Sequence, residues 1–196
     1  MTIKLTEGQE KALETTRALL KSETSDFGIV AGVAGTGKTT ALQAISQELG
    51  APKILTPTGK AALRAREATG LNASTIHRWL YNVVEDPKTK APKWVKKNPL
   101  ELARPHNGQI VVDEASMLSD NLWDDLWEAC QACDAKLLLV GDPFQLPPVN
   151  PKRPGWSVFE SLRTVHKTVL TEVVRQALDS PIIRASMAVR TSEEEA

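Results

Sequence analysis

Residues 32–39 read Gly-Val-Ala-Gly-Thr-Gly-Lys-Thr and fit the pattern GxxxxGK[ST], and no other stretch of this 196-residue chain constrains its fold as strongly. An apolar run at 27–31 precedes the glycines and a helical pattern at 38–49 follows them, so strand, loop and helix are expected in that order. Glycines let the backbone curl until several N–H groups face one point, where the N-terminus of the next helix adds positive potential. Such a loop cradles phosphate. Lys38 would reach the β and γ oxygens of ATP as a point charge, and the Thr39 hydroxyl would ligate Mg2+. Gly32, Ala34, Gly35, Thr36, Gly37 and Thr40 complete the expected ATP-binding set on this loop. A plain glycine turn before a surface helix is the structural alternative.

The rest of the chain alternates short apolar runs with helical patterns, which predicts an α/β fold with a mostly parallel sheet and helices on both faces. Helices are expected over 6–21, opened by Thr6, then over 38–49, 59–69 and about 121–133, with a last one starting at Pro181. Strands are expected at 27–31, 53–56, 109–113, 136–141 and 165–170. Between the helix ending near Leu80 and the strand at Gln109 the rhythm breaks. Residues 81–108 are punctuated by prolines, lack helical periodicity and exceed the length of most structureless connections. They are expected to form a small insertion, dividing the chain into 1–80 with 109–196 on one side and 81–108 on the other.

The chain carries 24 Lys plus Arg and 24 Asp plus Glu, which excludes a polybasic nucleic-acid coat but not a local basic surface. Residues 88–97 hold five lysines and no acid, whereas Glu193, Glu194 and Glu195 form an acidic tail. No apolar run approaches the ~20 residues of a membrane span and the first residues lack a signal sequence, so a cytoplasmic location, in a bacterium or a phage-infected host, is expected. Cys130 and Cys133 form a lone CxxC with no second pair to complete a zinc site; they are expected to be buried or half-buried thiols at a helix end.

A phosphate loop needs an acidic partner at the end of a neighbouring strand. The run Ile110-Val-Val-Asp113-Glu114 supplies two carboxylates there. Asp113 would hold Mg2+, and Glu114 would orient and deprotonate an attacking water. An acidic strand end capping the next helix is the alternative.

With these motifs in place, the chain resembles the superfamily 1 helicases of the RecD and Dda type, the subgroup described as moving 5′ to 3′. LTEGQEKAL (5–13) looks like the Q motif, GVAGTGKTT (32–40) motif I, TPTGKAA (56–62) motif Ia and STIHRWL (74–80) motif Ib. VVDEASML (111–118) is similar to motif II, GDPFQLPPV (141–149) to motif III and LTEVVRQ (170–176) to motif IV. The resemblance implies a RecA-like P-loop NTPase domain, called 1A in the family, with residues 81–108 in the place of the small 1B domain, whose β-hairpin pin splits duplex DNA. It also implies a second RecA-like domain, supplied in cis or trans, because the family's motifs V and VI do not occur in this sequence; Arg190 lacks the motif VI context.

Several side chains acquire expected roles in this way. The Gln9 amide offers a donor and an acceptor to the adenine edge. Gln145 would sense the γ-phosphate or its water, and Arg175 would add a planar guanidinium to the same phosphate. Thr56, Thr58 and Lys60, and Ser74, Thr75 and His77, would grip phosphates of single-stranded DNA. A hairpin with arms of roughly ten residues, turning near 87–92, would project about 30 Å to a duplex fork, with Trp94 stacking on a base. A solvated basic loop with Trp94 packed inward is the alternative. Trp79, Trp123, Trp127 and Trp156 are expected to pack, Trp123 and Trp127 sharing a helical face. The function so outlined is an ATP-hydrolysing motor half of a DNA helicase, with an ATP-dependent single-strand clamp or regulatory P-loop module as its rival.

Overall fold

The computed structural model describes residues 4–98, 102, 108–145, 159 and 162–173. The expected last helix, Trp156, Arg175 and Arg190 lie outside this set.

Thr6 caps the first helix, α1 (Glu7–Lys21), through a reciprocal box: its hydroxyl accepts from Gln9 N–H, and the Gln9 side chain returns a bond to the Thr6 backbone. Next come β1 (Phe27–Gly32), α2 (Lys38–Leu49), β2 (Lys53–Thr56), α3 (Gly59–Thr69), β3 (Ala73–Thr75) and α4 (Ile76–Leu80). A hairpin of β4 (Tyr81–Glu85) and β5 (Pro92–Lys96) interrupts the sequence before β6 (Gln109–Val112), α5 (Asp120–Ala132), β7 (Lys136–Gly141) and β8 (Lys167–Leu170).

Six strands pair in parallel in the order β3-β2-β6-β7-β1-β8. Alternation along each strand divides the interior in two. Ile29, Leu55, Ile110, Val112, Leu137 and Leu139 face α4 and α5, packing on Ile76, Trp79, Leu122 and Leu126. Val30, Ile54, Val111, Leu138 and Val140 face the other way, onto Ala12 and Leu19 of α1 and Leu42 and Ile45 of α2. Both sheet faces are thus covered, as the near-continuous apolar strands require. Trp79 is buried, and Trp123 and Trp127 stack on each other at 5.5 Å beneath Phe27. Cys130 is buried and Cys133 half-buried at the end of α5. Among the described residues no helix is long and apolar enough to cross a membrane.

Two local expectations need correction. β3 gave no signal because Ala-Ser-Thr is short and polar; it forms only by pairing Ile54, Leu55 and Thr56 with Ala73, Ser74 and Thr75. The hairpin is shorter than expected, with five residues per strand and therefore about 17 Å of strand rather than 30 Å. Its turn at 86–91 does fall where expected, fastened by Asp86, whose carboxylate accepts the N–H groups of Lys88 and Thr89 at 2.9 Å. The foot of the hairpin is tied to α5. The Tyr81 hydroxyl donates to Asp125, and Lys96 Nζ lies 2.6 Å from Asp125 and 2.7 Å from Glu128. Burial and Asp125 push the Tyr81 phenol up to about 12, and the same two carboxylates hold the Lys96 ammonium above its ordinary range.

Candidate nucleotide site

The strand order puts β6, β7 and β1 side by side, so the loops leaving their carboxyl ends share one crevice. The glycine loop leaves β1. Gly35 and Gly37 take φ of 86° and 77°, a left-handed region that favours glycine, and Gly37 caps α2 without a side-chain hydrogen bond. The first N–H groups of α2 therefore have no side-chain cap and remain available to an anion. A Cβ on Gly32 would sit 2.7 Å from Thr36 Oγ1, so the loop closes only over a hydrogen. Thr36 is buried and its hydroxyl donates to Val33 O at 2.8 Å, while Thr39 is exposed on the first turn of α2. Ala34, Gly35 and Thr40 are half-buried around it.

Lys38 opens α2 and folds across the loop. Its Nζ donates to Gly32 O at 2.7 Å and Val33 O at 3.1 Å, and stands 3.6 Å from the Asp142 carboxylate. Asp142 is 1% exposed and was not among the expected site residues. A signal for it was present, since Asp142 comes after the apolar strand β7 as Asp113 comes after β6.

Asp113 sits at the end of β6, its N–H donating to Leu55 O at 2.9 Å. Burial, with Glu114 adjacent, pushes its carboxyl up to about 6. Two neighbouring carboxylates in a desolvated crevice are costly as anions and are relieved by a cation between phosphates and protein. Glu114 occupies the left-handed region at φ 57°, leading into a 3₁₀ turn at Ala115–Met117. Its Oε2 is buried and, among the described residues, has no hydrogen-bond partner. An oxygen that no described donor holds is open to a water or a ligand.

Glu114 lines a cavity of about 270 Å³ together with Thr58, Lys60, Ala61, Arg64, Met117 and Gln145. Gln145 Oε1 accepts from the Ser116 hydroxyl at 3.3 Å, which joins the turn after Glu114 to the loop after β7. Segments far apart in sequence thus meet in one cleft; Arg64, Ser116 and Met117 are additions that the sequence did not reveal.

Gln9 joins two parts of the site. It is buried, its Nε2 donates to Gly37 O at 3.2 Å and its Oε1 accepts from Thr6 N–H at 3.0 Å, so both ends of the amide are engaged in joining α1 to the phosphate loop.

The expected DNA contacts divide. Thr56 is fully buried and donates to Thr58 O, while Thr58 caps α3 by accepting from Ala61 N–H. Both hydroxyls are used to shape the loop, leaving Lys60 as its exposed cation. Thr75 caps α4 by accepting from Arg78 N–H, and Ser74 is buried. His77 and Trp94 come together: their ring centroids are 6.1 Å apart, with Tyr81 at 5.9 and 6.1 Å from them. Trp94 remains 56% exposed, so one face of this aromatic cluster is open to a stacking partner.

A doubly covered parallel sheet with a GxxxxGK[ST] loop after β1 and an Asp-Glu pair after β6 defines a RecA-like P-loop NTPase domain. A family profile described as AAA domain matches residues 4–196, and the chain belongs to that family. Its relatives place it with the superfamily 1B helicases. It is 39% identical over 162 residues to the ATP-dependent RecD2 DNA helicase of Deinococcus radiodurans, covering 81% of this chain and 21% of that protein. Similarity to the ATP-dependent DNA helicase RRM3 of Saccharomyces cerevisiae is 31% over 212 residues, covering 96% and 28%. Among solved structures, Pif1 helicase from Bacteroides in complex with ADP-AlF3 and ssDNA matches with TM-score 0.62 and 26% identity, over 92% of this chain and 44% of that one. The chain therefore spans between a fifth and a half of the length of these relatives.

Proposed function

We propose that this domain binds and hydrolyses Mg-ATP as one half of a DNA helicase motor, moving 5′ to 3′ on single-stranded DNA together with a second RecA-like domain supplied in cis or trans. The observation that carries this is the grouping at adjacent strand ends: Asp113 lies within reach of Lys38 and Glu114, Glu114 shares a cavity with Gln145, and Glu114 Oε2 is buried and held by no described donor. The donor set fits a magnesium nucleotide. The phosphate-loop amides and Lys38 would hold the phosphates, and the Thr39 hydroxyl and Asp113 the ion. Magnesium there supplies charge neutralisation at the transferred phosphate. Glu114 takes the proton of the attacking water, and Gln145, lining one cavity with Thr58 and Lys60, links that event to the loop expected to hold DNA. Arg175 is assigned the guanidinium at the γ-phosphate on its motif. The Bacteroides Pif1 relative was solved with a nucleotide analogue and ssDNA, which supports both ligand classes.

The test is ATPase rate with and without oligothymidine. The expected result is slow hydrolysis by the domain alone, modestly raised by the oligomer, and no duplex unwinding until the second domain is joined. ATP-dependent retention of oligothymidine with no hydrolysis would favour the single-strand clamp.

The β4-β5 hairpin is proposed as the strand-separating pin, with Trp94 at the fork. In a two-domain protein, Trp94→Ala is expected to lower unwinding about tenfold, as loss of one base stack of ~1–3 kcal/mol implies, while DNA-stimulated ATPase changes little. Equal loss of both activities would assign the hairpin to general DNA binding.

A further inference from the structure

A second cavity, of about 380 Å³, lies at the β3 edge of the sheet and is lined by Lys53, Arg66, Asn72, Ser74, Arg78, Trp79 and Lys97. Among the described residues it shares none with the cavity beside Glu114 and Gln145, and none with the phosphate loop. Lys53 begins β2, whereas Thr56, next to the cleft, ends it; three residues of strand separate them by about 10 Å.

Four cations line this pocket, and among the described residues no carboxylate does. Among the described residues none of the four is ion-paired. Lys53 is only 8% exposed, and burial, reinforced by Arg66, Lys97 and Arg78, pulls its ammonium below the ordinary lysine range. Arg66 is held in place by donating Nε–H to Ala73 O at 2.6 Å, and Lys97 by donating to Arg78 O at 2.7 Å. Ser74, also 8% exposed, has a buried hydroxyl with no partner among the described residues. Water reaches Arg66, Arg78 and Lys97, but the Lys53 ammonium and the Ser74 hydroxyl are both buried, and an anion reaching them would relieve the cost of burying each. Donors from an ammonium, guanidinium, amide and hydroxyl match a phosphate, which offers several acceptors and a negative charge.

We propose that this pocket binds a phosphate group of a nucleic-acid strand, through Lys53, Arg66, Arg78 and Lys97 with the Ser74 hydroxyl. A strand source is favoured by position. Arg78 is next to His77 on α4, and Lys97 directly succeeds the hairpin that carries Trp94, so the same two elements supply the pocket and the open aromatic cluster. The choice of a strand over a free anion rests on the proposed DNA function; the anion chemistry does not.

The test uses Arg78→Gln/Lys97→Gln, which removes two charges from exposed or half-buried positions outside the nucleotide cleft. Oligothymidine binding is measured by anisotropy across a salt series. The double variant is expected to bind about tenfold more weakly at low salt, with a log-log salt slope shallower by about 0.7, the value for one single-strand phosphate. Affinity for a fluorescent ATP analogue should be unchanged, which separates this site from the phosphate loop. In parallel, inorganic phosphate is titrated at fixed ionic strength against thermal stability in a Lys38→Ala background, where the loop is silenced. Phosphate stabilisation that the double variant abolishes, with unchanged oligothymidine binding, would transfer the pocket to a free phosphate and overturn the strand. Unchanged affinity and slope with no phosphate effect would overturn the site altogether. Lys53→Met adds a check on folding: in a purely structural pocket it raises stability and leaves oligothymidine binding intact, whereas in a phosphate site it weakens binding.

Discussion

Lys38→Ala is expected to lower affinity for an ATP analogue by about 30- to 1,000-fold, because a charge-assisted contact to two phosphate oxygens is worth roughly 2–4 kcal/mol in a partly desolvated cleft. The side chain is 14% exposed, so solvent screens it little. It is not only a ligand-binding group. Its amine bonds the carbonyls of Gly32 and Val33 and stands 3.6 Å from the buried Asp142 carboxylate, so alanine leaves an acid with less compensation. A stability loss of about 1–3 kcal/mol is expected beside the binding loss. Calorimetric titration and a thermal melt on the same samples distinguish the two, and an unchanged analogue affinity would remove Lys38 from the site. The fold should survive, since both apolar layers lie beneath the loop and none of their residues is altered.

Glu114→Gln should give the opposite pattern. The amide keeps the size of the side chain and the loop geometry but cannot accept the proton from water, so nucleotide affinity should stay within about twofold while hydrolysis falls by about 10²–10⁴, the usual contribution of a general base. The buried Oε2 makes this sharper. No described donor holds that oxygen, so the substitution breaks no known structural bond, and any loss of turnover is chemical in origin. Single-turnover hydrolysis with saturating ATP is the decisive measurement; normal turnover would place the base elsewhere.

The parts of the site that could be read from the sequence are those where local chemistry demands a residue type. The phosphate loop is legible because it needs glycines at fixed places: Gly37 lies at positive φ and Gly32 tolerates no Cβ. The Asp113-Glu114 pair is legible because carboxylates ending an apolar strand have few structural uses. α1 could be placed from Thr6, whose hydroxyl caps it. Conversely, β3 was invisible because three small residues carry no period, and the hairpin arms were overestimated because strand length in an exposed, charged segment leaves little hydrophobic trace. Thr56 illustrates the same limit from another side: a threonine in a motif resembles a surface donor, and only its position in the sheet buries it completely.

The sequence by itself determined the order of the apolar strands and the amphipathic helices between them, and the identity of the loop, because burial periodicity, capping and glycine stereochemistry act over a few neighbouring residues. Tertiary structure alone decided which distant groups became partners. Placing β7 between β6 and β1 brings Asp142 to Lys38, across more than a hundred residues of chain. Docking the hairpin on α5 turns Lys96 from one of five similar lysines into an anchor between Asp125 and Glu128. The closure of β3 onto β2 gathers Lys53, Arg66, Arg78 and Lys97 around a single cavity. Charges act through space and strands pair across any sequence separation, so the electrostatic character of each group was set by the fold and not by its neighbours in the chain.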